Sequence, residues 1–133
     1  MRTRLLFALG LLALSCGGGA AKEIPEADAC PEASMAICGK VFSCPAGDIV
    51  IGLVQDGLGG SDAACQASIA QTYCGALTCT NGKKYHGDKA YQCKEQFKAV
   101  ACSQISGAVL TAGTNVSTLI TTLAPACNQV CSD

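Results

Sequence analysis

The rhythm of apolar and polar positions changes several times along this chain. Leu5 to Leu14 is an apolar run broken only by Ala and Gly10, set directly behind Met1-Arg2-Thr3-Arg4. Ten residues reach about 15 Å as a helix, whereas crossing a hydrocarbon core takes about 20 residues, so the run predicts an export signal and not an unaided membrane anchor. Further on, Met35, Ala36, Cys38, Val41 and Phe42 recur at helical spacing. They predict a helix from Pro31-Glu32 to about Ser43, ahead of Pro45. Asp48 to Leu58 holds Ile49, Val50, Ile51, Leu53 and Val54. This run fits strand or helix by period alone, and its neighbours together with Asp48 as a cap favour helix. Gly57-Leu58-Gly59-Gly60 reads as a turn, after which Ser61-Asp62 caps a helix over Ala63 to Tyr73. Asn81-Gly82-Lys83-Lys84 is a second turn and a small basic knob. Asp88 is the expected cap of the clearest amphipathic helix. There Ala90, Cys93, Phe97, Val100 and Ala101 form the apolar face, while Lys89, Gln92, Glu95, Gln96 and Lys98 face out. Val116, Leu119, Ile120 and Leu123 predict a short helix in a stretch, Ala99 to Ser132, that has no charged residue but too many Ser and Thr for a lipid span. Pro125 opens a last turn on which Cys127 and Cys131 share a face. The fold class is mainly α, a small disulfide-stapled helical domain of four to five short helices.

Composition sharpens this picture by showing how thin the core is. Of the hydrophobic residues 21 are Ala and 11 are Cys, and beyond residue 15 the large apolar side chains number 26 of 118, with no Trp. Burial alone leaves such a domain marginal, and cysteine has to make up the deficit. Whatever becomes of Cys16, ten cysteines remain: Cys30, Cys38, Cys44, Cys65, Cys74, Cys79, Cys93, Cys102, Cys127 and Cys131. An even number in an exported chain implies five disulfides, with roughly 945 possible pairings that sequence cannot choose among. Two constraints follow from spacing. Cys127 and Cys131 should not pair, because helical positions four apart hold their Cβ atoms about 5–6 Å apart, too far for a bridge. Cys65 and Cys74, like Cys93 and Cys102, are nine apart. They fall on opposite sides of an unbroken helix and should reach different neighbours. The repeat differs from the twin-cysteine helical hairpins of the mitochondrial intermembrane space, which place nine residues between cysteines where this chain has eight.

Leu12-Ala13-Leu14-Ser15-Cys16, followed by Gly17-Gly18-Gly19, resembles the lipobox of bacterial lipoproteins, with Ala13 standing where that family prefers Leu. The resemblance implies cleavage before Cys16 and acylation of its sulfur and amine. It divides the chain into a signal peptide (1–15), a flexible tether starting at lipidated Cys16 (16–29) and a disulfide-rich helical domain (30–131). Gly17 in place of Asp implies the outer membrane, on either face. The alternative is secretion after cleavage at Ala21, which Gly19 and Ala21 would permit. Cys38-Gly39-Lys40-Val41-Phe42-Ser43-Cys44, Asp62-Ala63-Ala64-Cys65, Ala90-Tyr91-Gln92-Cys93 and Ala101-Cys102 are similar to the cysteine-rich helical lipoproteins of myxobacteria and related lineages. That family brings no established activity.

Candidate chemistry is sparse. Zinc needs convergent C-x-x-C pairs with His, and the chain has one His, His86, and no C-x-x-C. Thioredoxin-like and c-type haem motifs are absent for the same reason. Gly82-Lys83 echoes a phosphate loop, but Leu77 occupies the first Gly position of that motif. Asp56 to Asp62 has calcium-loop flavour without the ligand positions, and turn chemistry explains it. Asn115-Val116-Ser117 is a glycosylation triplet that bacteria usually ignore. His86, between Tyr85 and Gly87-Asp88, reads as a surface loop residue and not as a general base, since no activated Ser accompanies it. The expectation is a non-catalytic binding or structural lipoprotein, without a cofactor or metal, held to the membrane at Cys16 and meeting an unknown protein partner. A secreted inhibitor using the Asn81 to Asp88 loop as a wedge is the alternative, and a small hydrolase is a distant third. After removal of the leader, seven Lys face ten acids, and this net charge of −3 argues against a nucleic-acid partner.

Overall fold

The computed structural model describes residues 21–45, 47–74 and 78–133. Cys16, the export signal and the first five residues (16–20) of the expected tether lie outside them. The described residues form six α-helices: α1 (Glu26–Ser43), α2 (Ile49–Gly57), α3 (Asp62–Thr72), α4 (Gly87–Ala99), α5 (Cys102–Ala112) and α6 (Val116–Leu123). A 3-10 helix over Pro125–Gln129 and two short strands, β1 (Lys84–Tyr85) and β2 (Cys131–Ser132), complete the fold. The strands pair antiparallel, with Lys84 opposite Ser132 and Tyr85 opposite Cys131. The result is the mainly helical, disulfide-rich domain that the sequence predicted, with one helix more than expected.

Helix α1 is the stem. Helices α3 and α4 pack along it and α2 meets its C-terminal part, while α5 joins α2 to α6 and the 3-10 helix closes on α4 and α6. One core cluster is built on Ile37, Val41, Ile51, Ile69, Phe97, Ile105 and Ile120. A smaller one gathers Ile24, Ala29, Ala90, Cys93, Ala126 and Val130 at the N-terminal end of α1.

Five disulfides tie the elements: Cys30–Cys74, Cys38–Cys65, Cys44–Cys102, Cys79–Cys131 and Cys93–Cys127. Cys127 and Cys131 do not pair with each other, as expected. They do not share a helical face either, since Cys127 sits in the 3-10 helix and Cys131 in β2. Cys65 and Cys74 reach the same neighbour, α1, where opposite faces were expected. The rotation arithmetic fails because α3 ends at Thr72, before Cys74. The outer and inner cysteines of α1 thus meet the outer and inner cysteines of the next hairpin arm, and α1 and α3 run antiparallel. Cys93 and Cys102 do bridge to different elements, but across a break between two helices and not around one helix: Val100 and Ala101 are extended, with ψ of 133° and 148°.

That break explains two departures. Val100 stays buried as a linker residue, whereas Ala101 is exposed and caps α5, so neither extends the amphipathic face of α4. Gln104 turns its side chain back to accept the Ala101 N–H at 2.8 Å, starting a helix that the uncharged, Gly107-containing stretch had concealed. At the other end of α4 the cap position is His86, and Asp88 lies in the first turn, where its charge suits the helix dipole. Other caps fall where the residue types put them. Asp48 accepts the Val50 and Ile51 N–H groups, Ser61 accepts that of Ala64, and Asn115, of the glycosylation triplet, accepts that of Thr118. Gly59 and Gly60 turn with φ of 99° and 75°.

The folded domain also starts earlier than Cys30. Ile24 is buried, its N–H donates to the Gly87 carbonyl at 3.1 Å, and its carbonyl accepts the Tyr85 hydroxyl at 2.7 Å. Anchoring this strap lets α1 begin at Glu26, with Pro31 inside it. Gly87 is what permits the approach, because a Cβ there would lie 2.8 Å from the Ile24 carbonyl oxygen. Gly87→Ala should therefore cost about 1–3 kcal/mol. Gly52→Ala on α2, where a Cβ meets nothing within 4 Å, should be neutral or stabilising by up to about 1 kcal/mol. Urea unfolding of the oxidised protein checks both; equal effects at the two positions would contradict the strap.

Candidate functional site

The strap brings His86 into the fold. Its N–H donates to the Val130 carbonyl at 2.8 Å and its carbonyl accepts the Ala90 N–H at 3.0 Å, so it joins β1, the C-terminal segment and α4. It is not the exposed loop residue that the sequence suggested. Its Nε2 is buried and has no hydrogen-bond partner. Among the described residues no Ser, Thr or Cys hydroxyl or thiol bonds to the ring, and an Nε2 with no exposed surface cannot take a proton from a bound substrate without a rearrangement. Glu23, Glu26, Tyr85 and Asp88 surround it in a shallow depression. The expected wedge, Asn81 to Asp88, is accordingly not one free loop: Lys84 and Tyr85 are committed to β1 and His86 to Asp88 to the cap and first turn of α4, which leaves the exposed Asn81-Gly82-Lys83 tip outside these elements.

A second concavity is better built. A cleft of about 320 Å³ opens between α1, the end of α3, α6 and the C-terminal segment. Its floor is apolar, from Ala33 and Ile37 of α1 and Ile120 of α6, and both C-terminal disulfides line it. Its rim is polar and carries no carboxylate among the described residues: Thr78, Thr80, Asn81 and Lys83 on one side, Ser117, Thr121 and Asn128 on the other. The two sides are held by different forces. Asn81 (φ 59°) and Gly82 (φ 79°) form a left-handed turn closed by the Lys83 N–H on the Thr80 carbonyl at 3.3 Å. Tyr73 fixes α6 by donating its hydroxyl to the Ser117 carbonyl at 2.9 Å. Ser117 and Thr121, four apart on α6, both face the cleft.

Of these rim residues, sequence singled out the Asn81 to Lys83 turn, and Ser117 as part of a glycosylation triplet. The signal that could have found the α6 side is the polar Ser117 and Thr121 pair beside the apolar stripe of α6. It became a cleft wall only once Cys79–Cys131 and Cys93–Cys127 brought distant segments together. Among the described residues no group of three or more His, Cys, Asp or Glu is placed to hold a metal ion, and no helix is long and apolar enough to cross a membrane. No family model, no curated protein and no solved structure matches the chain.

Two ionisable groups outside the cleft are shifted by their surroundings. Asp48 is held below the usual carboxylate range, chiefly by the Ser106 hydroxyl and then by the α2 N–H groups. The Tyr85 phenol is pushed up, first by burial and then by Glu26, Asp28 and Glu23. A phenol raised in the folded state favours folding below its unfolded value, and that contribution disappears as pH rises through the folded one. The strap should therefore loosen on the alkaline side of pH 10. Tyr85→Phe should remove this alkaline loss while costing about 0.5–1.5 kcal/mol at neutral pH, the worth of the bond to Ile24. Alkaline absorbance titration of the wild type should show a late-ionising phenol that is missing from Tyr85→Phe; loss of an early-ionising phenol in the variant would contradict it.

Proposed function

We propose that this chain is an exported lipoprotein, anchored in the cell envelope through acylated Cys16, whose stapled helical domain is a non-catalytic binding module. The observation that carries the reading is the commitment of all ten domain cysteines to five bridges, which is chemistry of an oxidising compartment. It supports export, and the Arg-flanked apolar run with Ser15-Cys16 supports the lipid anchor. Several acyl chains on one residue, at about 0.8 kcal/mol per buried methylene, make a durable anchor. Ile24 begins the folded part, so eight chain steps separate it from Cys16, at most about 29 Å of contour. The domain is thereby kept close to the membrane, where a partner meets it at raised effective concentration.

The binding part of the reading rests on the cleft between α1 and α6, and the non-catalytic part on His86. With its Nε2 buried and no bonded nucleophile, His86 serves as a joint between elements. The disulfides that frame the cleft are spent as cross-links and offer no thiolate. An outer-membrane position follows from Gly17 as an expectation of the lipobox resemblance.

Intact-mass analysis of the mature protein should give a chain starting at Cys16 and carrying acyl groups; a free Lys22 start would overturn the anchor. Purified wild type should show no turnover of ester, peptide or glycoside substrates. If turnover is found and His86→Ala abolishes it with the fold intact, the non-catalytic reading is wrong.

A further inference from the structure

From the chemistry of the cleft walls we infer that the ligand of this site is a small saccharide, neutral or singly anionic, with its acid group at Lys83. The inference deepens the binding-module reading and rests on it. At about 320 Å³ the cleft lies at the small end of ligand sites, which run from about 300 to 1,000 Å³. Its lining matches a ring ligand with one apolar face and many hydroxyls. Ala33, Ile37 and Ile120 give the floor, and the ring of half-buried Tyr73 adds an apolar wall. The phenol of Tyr73 is already spent on Ser117.

The rim supplies the hydrogen bonds. The side chains of Asn81, Lys83 and Asn128 form no hydrogen bond or ion pair with the described residues, so two amides and an ammonium are unspent. The amides can each donate and accept, as a sugar hydroxyl or acetamido group requires. Thr121 donates its hydroxyl back to the α6 backbone, at 3.1 Å to Ser117, and keeps its lone pairs for a ligand donor. Charge narrows the class further. The domain is net acidic, yet no described carboxylate lines this cleft and its single charged side chain is Lys83. A polycation finds no described carboxylate to pair with, a polyanion finds one cation for its many charges, and one carboxylate finds one partner.

N-acetylglucosamine and N-acetylmuramic acid are the probes, because they share a ring and differ by one carboxylate-bearing arm. Ligand-observed saturation-transfer NMR on the purified mature protein should detect both, with the acid bound several-fold more tightly. Lys83→Ala should erase that preference and leave the neutral sugar bound. Asn128→Ala, an exposed change, should weaken both about tenfold, the equivalent of one hydrogen bond at about 1.4 kcal/mol. Asn81→Gly, which keeps the left-handed turn, should do the same. No transfer to either sugar overturns the inference, as does binding that survives both amide variants. So does tighter binding of trialanine, which would make the cleft a peptide site. None of these failures alters the mass of the anchor or the turnover test, so the saccharide can fall while the lipoprotein reading stands.

Discussion

Everything in this fold depends on one helix being cross-linked on three levels. Cys30, Cys38 and Cys44 of α1 and its cap reach Cys74, Cys65 and Cys102, so the stem is tied once within α3, once just past its end and once to the start of α5. The middle bridge is fully buried at both ends, in the centre of the larger core cluster. It replaces apolar volume that a chain with 26 large hydrophobic residues in its last 118 does not otherwise have. The bridges close loops with sequence separations from 27 to 58 residues, each worth about 3.5–4 kcal/mol taken singly in the chain-entropy account. The overlapping loops do not add, but even one such bridge is comparable to a large part of the stability of a small domain.

The second pair of bridges does a different job. Cys79–Cys131 and Cys93–Cys127 fasten the C-terminal segment to the middle of the chain. They hold Val130 where it accepts the His86 N–H, and they frame the cleft whose far wall is α6. The N-terminal strap closes the same end, through Ile24, Tyr85 and Gly87. Chain entry, chain exit and the start of α4 therefore meet in one place. A binding surface set on cross-linked segments loses little freedom when a ligand arrives, which is how a domain with so small a core can still be preorganised.

Sequence made the helices legible where local chemistry decides them. Asp48, Ser61 and Asn115 cap helices because their short side chains reach orphan N–H groups, and the apolar periods of α1, α4 and α6 show through. What stayed hidden was set at a distance. Nothing near Ala101 announces α5, whose first turn is secured by Gln104 and by a bridge to Cys44. Ile24 looked like tether because its partners, Tyr85 and Gly87, lie some 60 residues on. Of the candidate site, the Asn81-Gly82 turn and the Ser117 and Thr121 pair beside the apolar stripe of α6 had local signatures. His86 was misplaced because its polarity and neighbours suggest a loop, while its actual setting is made by Val130. The cleft needs the right pairing among hundreds of cysteine connectivities, which spacing does not encode.

This pairing, with three bridges radiating from α1 and its cap, defines the domain and its cleft. Proteolysis of the native, unreduced protein with mass-spectrometric assignment of linked peptides tests it directly. The expected map is Cys30–Cys74, Cys38–Cys65, Cys44–Cys102, Cys79–Cys131 and Cys93–Cys127, with no domain thiol available to alkylation. A map in which Cys127 joins Cys131, or in which α1 is linked to fewer than three partners, would contradict it.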